Sequence, residues 1–107
     1  MPVENDGIRN VRQVLWRSVD SLATGTGAIQ DRLLSPAIFL LSLGPGPESL
    51  PVESRHELDA IVRDLTKVTA QGSEGNIEAT LRVMNDDEGK KIAERILSLY
   101  IDLRGGI

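Results

Sequence analysis

Apolar residues recur at helical spacing along most of the chain. Between Gly7 and Ala23, residues Ile8, Val11, Leu15, Val19 and Leu22 stand three or four apart, which puts them on one helix face. Asn5 or Asp6 can cap the start, and Gly25 lies just past the end. Val14 and Trp16 widen the apolar arc on opposite sides, beyond what one packing partner needs. Thr24-Gly25-Thr26-Gly27 then reads as a turn.

A second helical stretch starts near Ala28 and runs to Leu34. Ser35 and Pro36 read as the N-cap and first residue of a new segment ending at Leu43. The alternative is one continuous helix kinked at Pro36. From Leu33 to Leu43 apolar residues occur all round the axis, so this segment is either the central helix of the fold or part of a subunit contact. A buried strand competes, because period alone does not separate short apolar runs. Gly44 to Pro51 holds three prolines and two glycines, which excludes a helix there.

Ser54-Arg55-His56-Glu57 has the form of a capping box opening a third helix. Its inward stripe is Leu58, Ile61, Val62, Leu65, Val68 and Thr69, and Asp59 with Arg63 makes a favourable i,i+4 pair on the other face. Gln71-Gly72-Ser73 closes it. A short fourth helix spans about Glu74 to Met84, with Ile77, Leu81 and Met84 inward. A fifth begins near Asp86 and ends before Gly105. Ile92, Ile96, Leu99 and Leu103 form its core stripe; Asp86, Asp87 and Glu88 complement its positive end, and Lys90 can pair with Glu94. Ala93, Leu97, Tyr100 and Ile101 extend the apolar arc past half the helix. The alternation of Leu97, Leu99, Ile101 and Leu103 makes a C-terminal strand the minority reading.

These patterns predict an all-α fold: a compact bundle of four to six helices in a single domain, residues 1–107. Its halves, 1–43 and 52–107, are joined by the stiff connection 44–51. A length of 107 residues suits one domain and a real core. Trp16, Phe39 and Tyr100 are the only aromatic residues, so the core must be aliphatic. The absence of cysteine excludes disulfides, thiolate catalysis and cysteine-bound metal, and fits a cytoplasmic location. No apolar run approaches the roughly 20 residues of a membrane span, and Met1 to Asn10 does not read as an export signal. The net charge of −4 argues against a polyanion as the default partner.

Candidate chemistry thins out on inspection. His56-Glu57 opens like His-Glu-x-x-His, but Ala60 stands where the second histidine belongs. His56 with Glu53 or Asp59 is a weaker metal reading than a solvated helix residue. A Ser-His-Asp arrangement has no Gly-x-Ser-x-Gly turn to support it. Thr24 to Gly27 lacks the Gly-Lys-Ser/Thr ending of a phosphate loop. Asn85-Asp86-Asp87-Glu88-Gly89 does not meet calcium-loop spacing and serves better as a helix start. The third and fourth helices resemble helix-turn-helix in order only, because Glu74 and Glu78 would face phosphates. No residue is put forward as catalytic, metal-ligating or cofactor-binding.

Two surface readings remain. Trp16, Leu97, Tyr100 and Ile101 are the candidate contact residues of a non-catalytic interaction or structural module that self-associates, most simply as a dimer. Their alternative role is to finish the monomer core. Arg9, Arg12, Trp16 and Arg17 form a basic, aromatic face that suits a nucleic-acid-associated regulator. The acidic total and Asp20 nearby weigh against it. A third reading is a small-ligand or enzymatic domain with carboxylates gathered from distant segments.

Overall fold

The computed structural model describes residues 6–71 and 75–105. They form five helices: α1 (Asp6–Thr24), α2 (Ile29–Ser42), α3 (Val52–Leu65), α4 (Asn76–Val83) and α5 (Asp86–Leu103). No strand occurs among the described residues, so the C-terminal segment and the 33–43 run are both helical.

α2 is the centre of the bundle and touches each of the other four helices. α1 and α5 pack on each other and on α2, while α3 and α4 close the other side. The core is one aliphatic cluster that draws Val11, Leu15, Leu33 and Leu40 from before the Gly-Pro connection and Leu58, Ile61, Leu65 and Ile96 from after it. Residues 44–51 therefore join two halves of a shared core. Leu50 within the connection is itself buried, which pins the entry to α3.

Pro36 lies inside one continuous α2, so it does not open a new helix. A proline at this position removes one main-chain hydrogen bond and strains the preceding turn, a cost of ~3 kcal/mol or more. Pro36 is buried with Leu33, Ala37 and Leu40, and this packing offsets the cost. α2 ends at Ser42 with Leu43 as its C-cap, and Gly44 follows with φ +67°, the left-handed conformation that glycine adopts without a Cβ penalty.

Helix ends depart most from the sequence pattern. Asp6 is the first residue of α1, and Asn5 lies outside the described residues. α3 starts at Val52 with Pro51 as N-cap, so Ser54 is not a cap and Glu57 is free to reach another helix. α3 also stops at Leu65, leaving Val68 and Thr69 beyond it. The Val68 N–H donates to Thr80 Oγ1 (3.0 Å) and the Ala70 N–H to Asn76 Oδ1 (2.8 Å), so this stretch is tied to α4. α4 begins at Asn76; the expected closing residues Gly72 and Ser73, and Glu74, lie outside the described residues. α5 carries a full capping box: Asn85 Oδ1 accepts from the Glu88 N–H (2.8 Å), and Glu88 Oε1 accepts from the Asn85 N–H (3.0 Å).

The freed Glu57 joins α3 to α5. Arg95 Nε and Nη2 donate to the two Glu57 oxygens at 3.2 and 3.1 Å, and Nη1 donates to Asp64 Oδ2 at 2.7 Å. The Glu57 hydrogen bonds, ahead of those from Asp64, raise the Arg95 guanidinium above its ordinary value against a smaller opposing effect of burial. A raised value keeps this contribution intact until pH climbs beyond the guanidinium range, so changes around neutrality leave it untouched. Arg95 is 30% exposed, which screens the pair. Arg95→Met keeps the aliphatic stem and removes all three bonds. It should cost about 1 kcal/mol, or roughly 4–8 °C in melting temperature. An unchanged melt would mean that the α3–α5 clamp contributes nothing. Neither Asp59–Arg63 nor Lys90–Glu94 closes as an ion pair among the described residues.

Candidate interaction surfaces

α1 and α5 bring the expected contact residues to one face. The Trp16 and Tyr100 rings lie 6.2 Å apart between centroids, inclined at 34°. The Arg104 guanidinium sits over the Tyr100 ring, 5.9 Å from its centroid, a cation–π distance. Trp16 is 52% exposed and Leu97 is 44% exposed, whereas Tyr100 and Ile101 are half-buried. Ile101 follows Leu97 by one helical turn and shares its side of α5. Tyr100 leans on the core cluster, so it both supports the fold and carries Trp16.

Leu97 continues into a groove of about 270 Å³ between α1, α2 and α5, walled by Val19, Leu22, Ile29 and Ala93. Arg32 and Lys90 also line it, with Glu94 beside them. Arg32 Nη1 donates to the Leu22 carbonyl (3.2 Å) near the end of α1, where a cation meets the negative end of the helix. Its role there is to close α1.

A second uncovered face runs along α2. Leu34, Ile38 and Leu41 are 38%, 50% and 49% exposed. They line a cavity of about 450 Å³ together with Ile77 and Thr66. The all-round apolar character of residues 33–43 signalled a helix covered on every side. The spacing of Leu34, Ile38 and Leu41 by four and three residues, with Ser35 and Ser42 beside them, was the available clue that one side stays open.

The residues of the basic face, Arg9, Arg12, Trp16 and Arg17, all lie on α1. Arg9 and Arg12 already take part in interactions within the chain, and Trp16 has Tyr100 as its ring partner. Arg17 is exposed beside the exposed Asp20 on α1. At the N-terminus of α4, Asn76 Oδ1 accepts from the Ala70 N–H.

The remaining motifs resolve into structure. His56 is exposed on α3, and its neighbour Glu57 belongs to Arg95. At the start of α2, after the Thr24–Gly27 turn, Asp31 Oδ2 accepts from the Ala28 N–H (3.2 Å), so a carboxylate already sits where a phosphate would bind. Asn85 and Glu88 are used in the α5 capping box. Among the described residues no three histidine or acidic side chains converge as metal ligands. Among them, too, no helix is long and apolar enough to cross a membrane. No family model matches the chain, and neither a curated protein nor a solved structure matches it.

Proposed function

We propose that this chain is a non-catalytic helical interaction module that self-associates. The observation supporting this reading is the placement of its uncovered apolar side chains. Five of the seven exposed large ones among the described residues lie on two faces, Trp16 with Leu97 on one and Leu34, Ile38 and Leu41 on the other; Val52 at the start of α3 and Val83 at the end of α4 are the other two. Scattered exposed apolar residues are ordinary, but aligned ones mark surfaces that another protein covers. Trp and Tyr are also the residue types that anchor protein contacts. A cysteine-free chain suits the reducing cytoplasm, where we place this activity.

Light scattering coupled to size exclusion tests the reading across a dilution series. The expected mass exceeds 11.7 kDa at high concentration and falls toward that value on dilution. A mass fixed at the monomer value throughout would overturn self-association. Tyr100→Asp separates the two faces. A soluble monomer would assign Trp16, Leu97, Tyr100 and Ile101 to the self-contact. An unchanged oligomer would leave that face for a different protein.

A further inference from the structure

The groove between α1, α2 and α5 owes its space to small side chains on α5. Gly89 lets α5 come up against Ile29 of α2, and Ala93, one turn further on, is too short to fill the room beside it. Val19 and Leu22 wall the α1 side, and Leu97 stands about 10 Å beyond Lys90 along α5. The volume of about 270 Å³ is just under the ~300 Å³ at which drug-sized sites begin, so the groove suits a smaller molecule. At about 30 Å³ for each water-sized group it takes roughly nine of them.

Its cations gather at one end. Trp16 meets Tyr100, and Leu22 and Ala23 share the groove with Lys90 and Ala93, so α1 and α5 run antiparallel and the end of α1 lies level with Lys90. Arg32 lies across that same end: its stem packs on Gly25, and Nη1 donates to the Leu22 carbonyl. Its Nε is buried and meets no acceptor among the described residues. Arg55 Nε is orphaned as well, but it lies beside Gly46 of the connection and does not line this groove. Neither Arg32 nor Lys90 holds a carboxylate among the described residues, Glu94 included. Two cations beside an apolar trough make a local field opposite in sign to the net charge of −4. Glu94, one turn on from Lys90, repels an anionic head group from the middle of the groove and leaves the Arg32–Lys90 end as its seat.

We propose that this groove binds a medium-chain carboxylate, its head group between Arg32 and Lys90 and its alkyl tail on Leu22, Ile29 and Ala93 toward Leu97. The Arg32 guanidinium supplies donors to the head group, since the chain engages only Nη1. Lys90 is exposed and closes over the head group from the α5 side. A tail of roughly nine carbons matches the volume, which makes decanoate the probe. The groove is open to solvent and offers one charged seat, so the dissociation constant is on the order of 100 µM. The site lies within one chain and does not depend on self-association.

Isothermal titration of the full chain with decanoate from about 10 µM to about 5 mM brackets that constant and should show one site per chain. Decyltrimethylammonium carries the same length of tail with the opposite charge. The net charge of −4 favours it over the surface at large, so a preference of at least ~10-fold for decanoate comes from the Arg32–Lys90 end. Lys90→Met, at an exposed position of α5, should weaken decanoate about 5- to 10-fold. Ala93→Phe fills the groove and should abolish binding while the helical circular dichroism stays unchanged.

No saturable binding by about 5 mM, equal affinity for the two amphiphiles, or decanoate binding that survives in folded Ala93→Phe would each overturn the proposal. If Ala93→Phe does not fold, Lys90→Met decides: an unchanged affinity overturns the proposed site, and the expected loss supports it. Self-association is read from the solution mass and ligand binding from the heat, so the failure of one is distinct from the failure of the other.

Discussion

Replacing Ile96 with alanine should destabilise the protein by about 3–5 kcal/mol, the upper range for truncating a fully enclosed aliphatic side chain. Ile96 has no exposed surface and sits in α5, which packs on α1, α2 and α3. Truncation removes apolar area from the core and leaves a void that three helices cannot all close. A domain of this size holds only ~5–15 kcal/mol in total, so much of its stability rests on this position. Urea unfolding followed by circular dichroism measures the effect. A loss below ~1 kcal/mol would mean that α1, α2 and α3 repack freely around α5, contrary to the packing seen here.

Gly89→Leu should be nearly as damaging, for the opposite reason. Gly89 is buried in the first turns of α5, where α5 approaches α2. A Cβ placed there would lie 2.8 Å from Ile29 Cγ2 and 3.4 Å from Leu33 Cδ1. A leucine has no room and must push the start of α5 away from α2, at a cost of about 3 kcal/mol. Gly89→Ala is the informative control. Its gain in helix propensity, up to ~1 kcal/mol, opposes the shift it demands of Ile29, so the net change should be small. Equal damage from both substitutions would show that the Ile29 side chain cannot move. No damage from the leucine would show that α5 moves away from Ile29 at little cost. Thermal melts of the two variants side by side decide the matter.

These two positions differ in how well the sequence exposed them. Ile96 belongs to the Ile92–Ile96–Leu99 stripe, which is periodic and buried as expected. Gly89 reads in the sequence as part of an acidic helix start, because nothing local reveals that α2 lies against it. The α1 stripe behaves like Ile96: Val11 and Leu15 are buried, with Ile8, Val19 and Leu22 packed beside them. Pro36 behaves like Gly89. Its local preference is to begin a helix, and the core holds it inside one. Ser54 and Glu57 match a capping box residue for residue, yet Arg95, 38 residues further along, takes Glu57.

The expected contact face was half legible. Composition and period marked Trp16 and Leu97 as surplus to one packing stripe, and both are exposed. Tyr100 carried the same mark, but it packs partly on the core. The α2 face was hidden for a different reason. A helix apolar on all sides has a full period of candidates and no polar face to show which side is left over.

By itself, the sequence determined the helical class, the break at Gly44–Pro51 and the inward stripes of α1, α3 and α5. Those features follow from interactions within a few residues: side-chain period, proline and glycine stereochemistry, and the charge preference of helix ends. Only the tertiary structure decided that α2 runs through Pro36, that Glu57 serves Arg95, that Gly89 marks the α2–α5 approach, and that Leu34, Ile38 and Leu41 remain uncovered. Each of these depends on which helix stands next to which, and period records the direction of a side chain without the identity of its neighbour.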